Sequence, residues 1–179
     1  MPIINVLIFR GTGGVLNQDH QHYNEPALVK AGHVGISGVI EGKIIGFSPT
    51  PEATEALGGV EALIKELEEY HPQPGRLQDD NAYFERAVEL VEETNGRTTV
   101  YMYEVEISDE TLNEIQSWYN TRKEALYSFP NRVGEFRQDE SNCAVFWQRF
   151  GIPLPLLTGN IRDITKVMSD EGYDKWLSD

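Results

Sequence analysis

GHVGISGVIEGKIIGFSPTP, residues 32–51, holds two short runs of β-branched and aliphatic residues on either side of Glu41-Gly42. Two such runs around a glycine-containing dipeptide are the sequence form of a β-hairpin. With Glu41-Gly42 as a two-residue turn, Ile40 faces Lys43, Gly35 faces Ser48 and His33 faces Thr50. Side chains alternate along a strand, so His33, Gly35, Ser48 and Thr50 share one face of the sheet. The glycines inside both runs mark places where another backbone or side chain approaches closely.

Before this hairpin, IINVLIF (residues 3–9) reads as a buried strand ending in the glycine loop Arg10-Gly11-Thr12-Gly13-Gly14. The polar stretch from Val15 to Pro26 has no period and reads as loop. After the hairpin, Leu57, Val60, Ile64 and Leu67 recur at helical spacing from Pro51 to Tyr70, and HPQPG stops that helix. A second helix is expected over 81–94, with Asn95-Gly96 as its C-terminal cap. RTTVYMYEVEI is a strand. Ser108-Asp109 caps a third helix carrying Leu112, Ile115, Tyr119 and Leu126. YSFPNRVGEFRQDE reads as an irregular connector. A helix with Cys143 in its first turn follows, then the turn GIPLP, then a terminal helix over 160–177. Strands and helices in this order, without βαβ alternation, predict an α+β fold with a small antiparallel sheet packed against helices. No internal repeat or long linker divides the 179 residues, so one domain spanning 1–179 is expected.

The 29 acidic residues outnumber the 15 basic ones, for a formal charge of -14, which disfavours nucleic acid and anionic membrane surfaces as partners. The N-terminal MPIINVLIFRGTGG has no basic leader and no small-residue cleavage site, so no signal peptide is expected. No apolar run approaches the ~20 residues of a bilayer span. The expectation is a soluble chain made in the cytoplasm, without integral membrane association. Its compartment of action stays open, and a route of export that reads no leader is compatible with it.

Cys143 is the only cysteine, so an internal disulfide framework is excluded. Two readings of it stand side by side. A lone cysteine is commonly a small buried hydrophobe. Here, however, Ser141 or Asn142 is a good N-cap, which places Cys143 in a first helical turn, where free N–H groups and the helix dipole favour thiolate. The apolar residues Ala144, Val145, Phe146, Trp147 and Phe150 would bury that helix firmly. A thiol nucleophile needs a base. His71 follows a helix and reads as solvated, and His20 and His22 lie in the polar loop. His33 opens a strand beside a glycine and is the candidate base, with Ser48 or Thr50 on its face to orient the ring.

GHVGIS…GKIIGFSP early in the chain and SNCAVFWQRFGIPLP late resemble the circularly permuted members of the NlpC/P60-like, papain-related thiol hydrolases. In that branch, which includes the lecithin:retinol-acyltransferase-like proteins, the histidine strand precedes the cysteine helix. The resemblance covers both ends of the core but not the middle of the chain. It implies a permuted papain-like core with Cys143 as nucleophile, His33 as base and Ser48 where the third polar residue normally stands, and it implies no cofactor or metal. It further implies cleavage of an amide or peptide bond, first of all in peptidoglycan, through an acyl-enzyme. An antibacterial effector with an inhibitor or immunity protein as partner fits a small acidic hydrolase. Acyl transfer to a lipid or amine, or a non-catalytic binding module on the same fold, are the alternatives.

Other motifs are weaker. FRGTGG lacks the Gly-Lys-Ser/Thr ending of a phosphate loop, although its N–H groups are free in principle to line a site. No G-x-S-x-G elbow is present, which argues against a serine hydrolase. His20 and His22 are two apart without a third ligand, a poor zinc pattern. The acidic runs KELEEY and VEETNG read as solvated helix faces. Trp118 and Tyr119 fit helix packing, with one of them placed to reach a groove.

Overall fold

The computed structural model describes residues 1–13, 27–131 and 133–176. It is an α+β structure in which a curled, mixed sheet of seven strands packs against helices. The elements run β1 (Ile3–Phe9), α1 (Ala27–Ala31), β2 (His33–Ser37), β3 (Ile44–Pro49), α2 (Pro51–Leu57), α3 (Val60–Glu68), β4 (Gln73–Asp79), α4 (Asn81–Glu93), β5 (Val100–Glu106), α5 (Asp109–Asn120), β6 (Glu124–Tyr127), β7 (Glu140–Ser141), α6 (Val145–Arg149) and α7 (Ile161–Asp170). The strand order is β5-β1-β2-β3-β4-β6-β7. All neighbours are antiparallel except β6 and β7, which run parallel, so the expected antiparallel sheet is in fact mixed.

The hairpin is present with a different register. Ile36 pairs Ile45 and Ser37 pairs Ile44, a shift of two residues from the expected pairing. The turn Ile40–Lys43 does close, with Lys43 N–H donating to the Ile40 carbonyl at 3.1 Å, but Gly38 and Val39 stay outside the ladder on one side only. Because the shift is even, the faces are unchanged. The polar loop expected from Val15 to Pro26 lies outside the described residues.

Three further expectations are corrected. The single helix over 51–70 is two helices, because Gly58 (φ +94°) and Gly59 (φ +132°) take backbone conformations that end α2 and re-aim α3. The third helix ends at Asn120, since Arg122 has φ +52°, and Leu126 belongs instead to β6, paired with Pro74. The terminal helix stops at Asp170. Strand β4 begins inside HPQPG, which reads in the sequence only as a helix stop. Its only buried positions are Gly75 and Leu77, so an apolar alternation is barely written into QPGRLQD.

Two cores lie on the two faces of the sheet. On one, Leu7 and Phe9 of β1 and Val100 of β5 meet Phe84, Ala87 and Leu90 of α4. On the other, Val6, Ile8, Val34, Ile36, Ile45 and Phe47 meet α3, α5, α6 and α7 through Leu63, Ile115, Trp147 and Ile164 among others. Phe47 joins the sheet to the cysteine helix: its ring stacks on Phe146 at 4.2 Å between centroids, with 6° between planes. No helix among the described residues is long and apolar enough to cross a membrane.

Phe47→Ala removes this fully buried ring and leaves a cavity between β3 and α6. Chemical denaturation should show a loss of about 3–5 kcal/mol. A loss below about 1 kcal/mol would mean that α6 is not anchored through this contact.

Candidate active site

His33 is the first residue of β2 and is held in the sheet by pairing with Phe9 of β1. Its face continues across β3 to Gly46 and from there to the end of β4. A Cβ built on Gly46 would stand 2.0 Å from Asp80 Oδ2 and 2.6 Å from His33 Nε2. Only a residue without a side chain leaves this space, and two side chains from either side of β3 meet in it. His33 Nε2 and Asp80 Oδ2 are 2.6 Å apart, a short charge-assisted hydrogen bond.

Asp80 joins β4 to α4. Its N–H donates to the Ile44 carbonyl at 2.7 Å and its carbonyl accepts from Phe84 N–H at 3.0 Å, so its backbone is fixed at both ends. An aspartate at a helix N-cap ordinarily turns its carboxylate onto the first N–H groups. Asp80 makes no such cap bond, because the carboxylate is given to His33. The positive end of α4 still favours its charge.

Cys143 reaches the same place from the other end of the chain. Ser128 N–H donates to the Ser141 carbonyl at 2.9 Å and Tyr127 pairs with Ser141, so β6 carries the segment. Asn142 is the working cap, as expected: its Oδ1 accepts from the N–H groups of Ala144 and Val145 at 3.0 and 2.9 Å. Its Nδ2 donates to the Gly159 carbonyl, tying the turn to the loop before α7. Two features of the sequence reading change here. Helix α6 spans only five residues, too few for a strong macrodipole. In addition, Asn142 already takes two of the N–H groups expected to be free. The charge beside the thiol comes mainly from a side chain.

That side chain is His33. Burial lowers its pKa, but the Asp80 charge and hydrogen bond, followed by a hydrogen bond and charge from Cys143, outweigh burial and push it up to about 10. Two tyrosines close the group. Tyr127 is pushed up by burial and then by the charge and side chain of Cys143, while the Cys143 backbone N–H pulls it down. Tyr83 of α4 is pushed up by burial, then by the charges of Cys143, Asp80 and Tyr127. Its ring lies 4.8 Å from that of His33, a lid over the imidazole. Cys143, His33 and Asp80 are 4%, 7% and 9% exposed, so the cluster is closed. The cavities of about 850, 450 and 370 Å³ are lined by other residues.

Of the expected site residues, His33 is bonded to Asp80, Cys143 adds to the upward push on its ring, and Ser48 does neither. The Ser48 hydroxyl accepts from Gln78 Nε2 at 2.8 Å, and Thr50 caps α2 by accepting from Ala53 N–H at 3.1 Å. The orienting group is Asp80. Only the Asp-Asp pair before a clear helix could have signalled it. With β4 unread, nothing placed that pair beside His33. Tyr83 and Tyr127 were also missed, as aromatic residues at ordinary packing positions. The glycine loop does not line the site: Thr12 and Gly13 donate their N–H groups to the Val29 and Lys30 carbonyls. His20 and His22 lie outside the described residues. His71 is exposed, as expected, and bonds Glu66 at 2.8 Å. Trp118 does reach a groove, the 370 Å³ cavity it shares with Ser141, Phe146 and Phe150. No family model, curated protein or solved structure matches the chain.

A histidine whose folded pKa stands at about 10, above the ordinary histidine value of 6.5, stabilises the fold fully below pH ~6.5 and loses that contribution as pH rises through about 10. The wild type should therefore lose on the order of a few kcal/mol of stability across this window. In Asp80→Asn and in Gly46→Ala, which separates the pair by steric conflict, the slope should flatten. Parallel wild-type and variant curves from denaturation at stepped pH would show that the pair contributes nothing.

Proposed function

We propose that the chain is a cysteine hydrolase on a circularly permuted NlpC/P60-like, papain-like core, cleaving an amide bond with Cys143 as nucleophile. The observation that carries this reading is the buried His33, held by Asp80 on one ring nitrogen and sensing the Cys143 thiol beside it. A protonated imidazole between a carboxylate and a sulfur is the resting form of a thiolate–imidazolium pair.

The thiolate attacks the substrate carbonyl carbon, forming a C–S bond as the carbonyl electrons move to oxygen. The Cys143 N–H, which must leave the Tyr127 oxygen it bonds at rest, is the donor for that oxyanion, with the Tyr127 hydroxyl turning to join it. His33 gives its proton to the amide nitrogen, the C–N bond breaks and the amine leaves. Water then enters, His33 takes its proton, and hydroxide displaces the thiolate to release the acid. Asp80 holds the ring in place throughout. No step calls on a cofactor.

A peptide or isopeptide bond of peptidoglycan is the proposed substrate, and an antibacterial effector with a protein inhibitor the proposed setting. These two steps rest on the family resemblance. Transfer of the acyl group to a lipid or amine differs only in replacing water as acceptor. The 4% exposure of Cys143 favours a second reading, a non-catalytic module in which the thiol is core.

Incubation with muropeptides, followed by mass spectrometry of new amine and acid ends, tests the proposal. Wild type should cleave, while Cys143→Ala and His33→Ala should fall by at least roughly 10³-fold. Equal turnover by Cys143→Ala would overturn the assignment. Alkylation of the native protein by iodoacetamide separates the two readings: a catalytic thiol reacts without denaturant, and a core thiol does not. Tyr83→Ala, which uncovers His33, should speed alkylation.

A further inference from the structure

A cavity of about 850 Å³ lies away from Cys143, His33 and Asp80. It lies between the β2–β3 loop and the outer side of α4, with Trp176 at one end. Val39, Ile40, Ile44, Phe84, Val88 and Trp176 give it an apolar wall. Its volume is that of a small-molecule site. The walls are tied down: Asn81 Oδ1 accepts from Ile44 N–H at 2.7 Å, and Asn81 Nδ2 donates to the Gly42 carbonyl at 2.9 Å. The groove is thus a fixed feature between two stapled elements.

Its charges have one sign to spare. Lys43 is engaged by Asp79, at 3.3 Å, and sits 5.9 Å from the Tyr119 ring. Glu89 is engaged by Arg86 at 2.7 Å. Glu41 and Glu85 are exposed and have no ion-pair partner among the described residues. An apolar trough with two unneutralised carboxylates, in a chain of net charge -14, complements a cation with an apolar body. We propose that this groove binds an aryl- or alkyl-ammonium group, the apolar part lying against Phe84, Val88 and Trp176 and the ammonium reaching Glu41 and Glu85. Cys143, His33 and Asp80 do not line this groove, and the proposal does not depend on the hydrolase reading.

Trp176 is a built-in reporter, since Trp118 and Trp147 do not line the groove. Titration of the intact protein with 4-phenylbutylamine should give a saturable change in tryptophan emission that Trp176→Phe abolishes. 4-Phenylbutyrate has the same apolar body and the opposite charge, and should bind roughly three- to tenfold more weakly. Raising the salt should narrow that difference. The double variant Glu41→Gln/Glu85→Gln, changed only at exposed positions, should bind both compounds alike. Equal binding of the two by wild type, no saturable response to the amine, or a response that survives Trp176→Phe would each overturn the proposal.

Discussion

A side chain from β2 and one from the junction of β4 and α4 meet over a residue of β3 that has none. The His33–Asp80 contact exists because Gly46 leaves the space above β3 empty, and the rest of the site is arranged around that contact. Without Asp80, burial would drive His33 toward its neutral form. With it, the ring's pKa is pushed up to about 10, and in the proposed mechanism this charged ring is the partner of the Cys143 thiol. A buried ion pair is costly to assemble. Here the cost is met by backbone bonds that fix Asp80 before its carboxylate is used, and by the α4 N-terminus that the carboxylate leaves uncapped.

The second constraint is how the late cysteine segment reaches an early strand. Helix α6 is too short to be placed by its own stability. It is placed by packing of Phe146 on Phe47, by the Asn142 bonds to its own turn and to Gly159, and by the parallel pairing of β6 with β7. The curled sheet brings β6, with Tyr127, and the edge strand β7 that leads into the cysteine around to this place. Strand pairing and the Phe47–Phe146 contact therefore place the cysteine segment, more than the helix dipole that the sequence suggests.

Much of this was legible in the sequence, and the parts that were not have physical reasons. IINVLIF is apolar along its length and reads as β1 without help from anything distant. His33 and Cys143 were singled out from local context, a strand start beside glycine and a capped turn before an apolar run. The face of His33 was read correctly even though the hairpin register was off by two residues, because an even slip preserves the face. Asp80 was not legible. It depends on β4, whose sequence offers proline, glycine, arginine and glutamine where a strand usually alternates, and which forms because β3 and β6 offer edges on both sides of it. Gly46 carried its message in a form that cannot be decoded alone: a glycine in a strand says that something comes close, not what comes close.

Heteronuclear NMR titration of the His33 imidazole, in wild type and Asp80→Asn, tests the central claim most directly. The account predicts that wild-type His33 keeps its proton until the pH nears about 10, and that the variant loses it well below that. A His33 that titrates near 6.5 in both proteins would mean that Asp80 does not hold the imidazole charged, and the thiolate–imidazolium site would be contradicted.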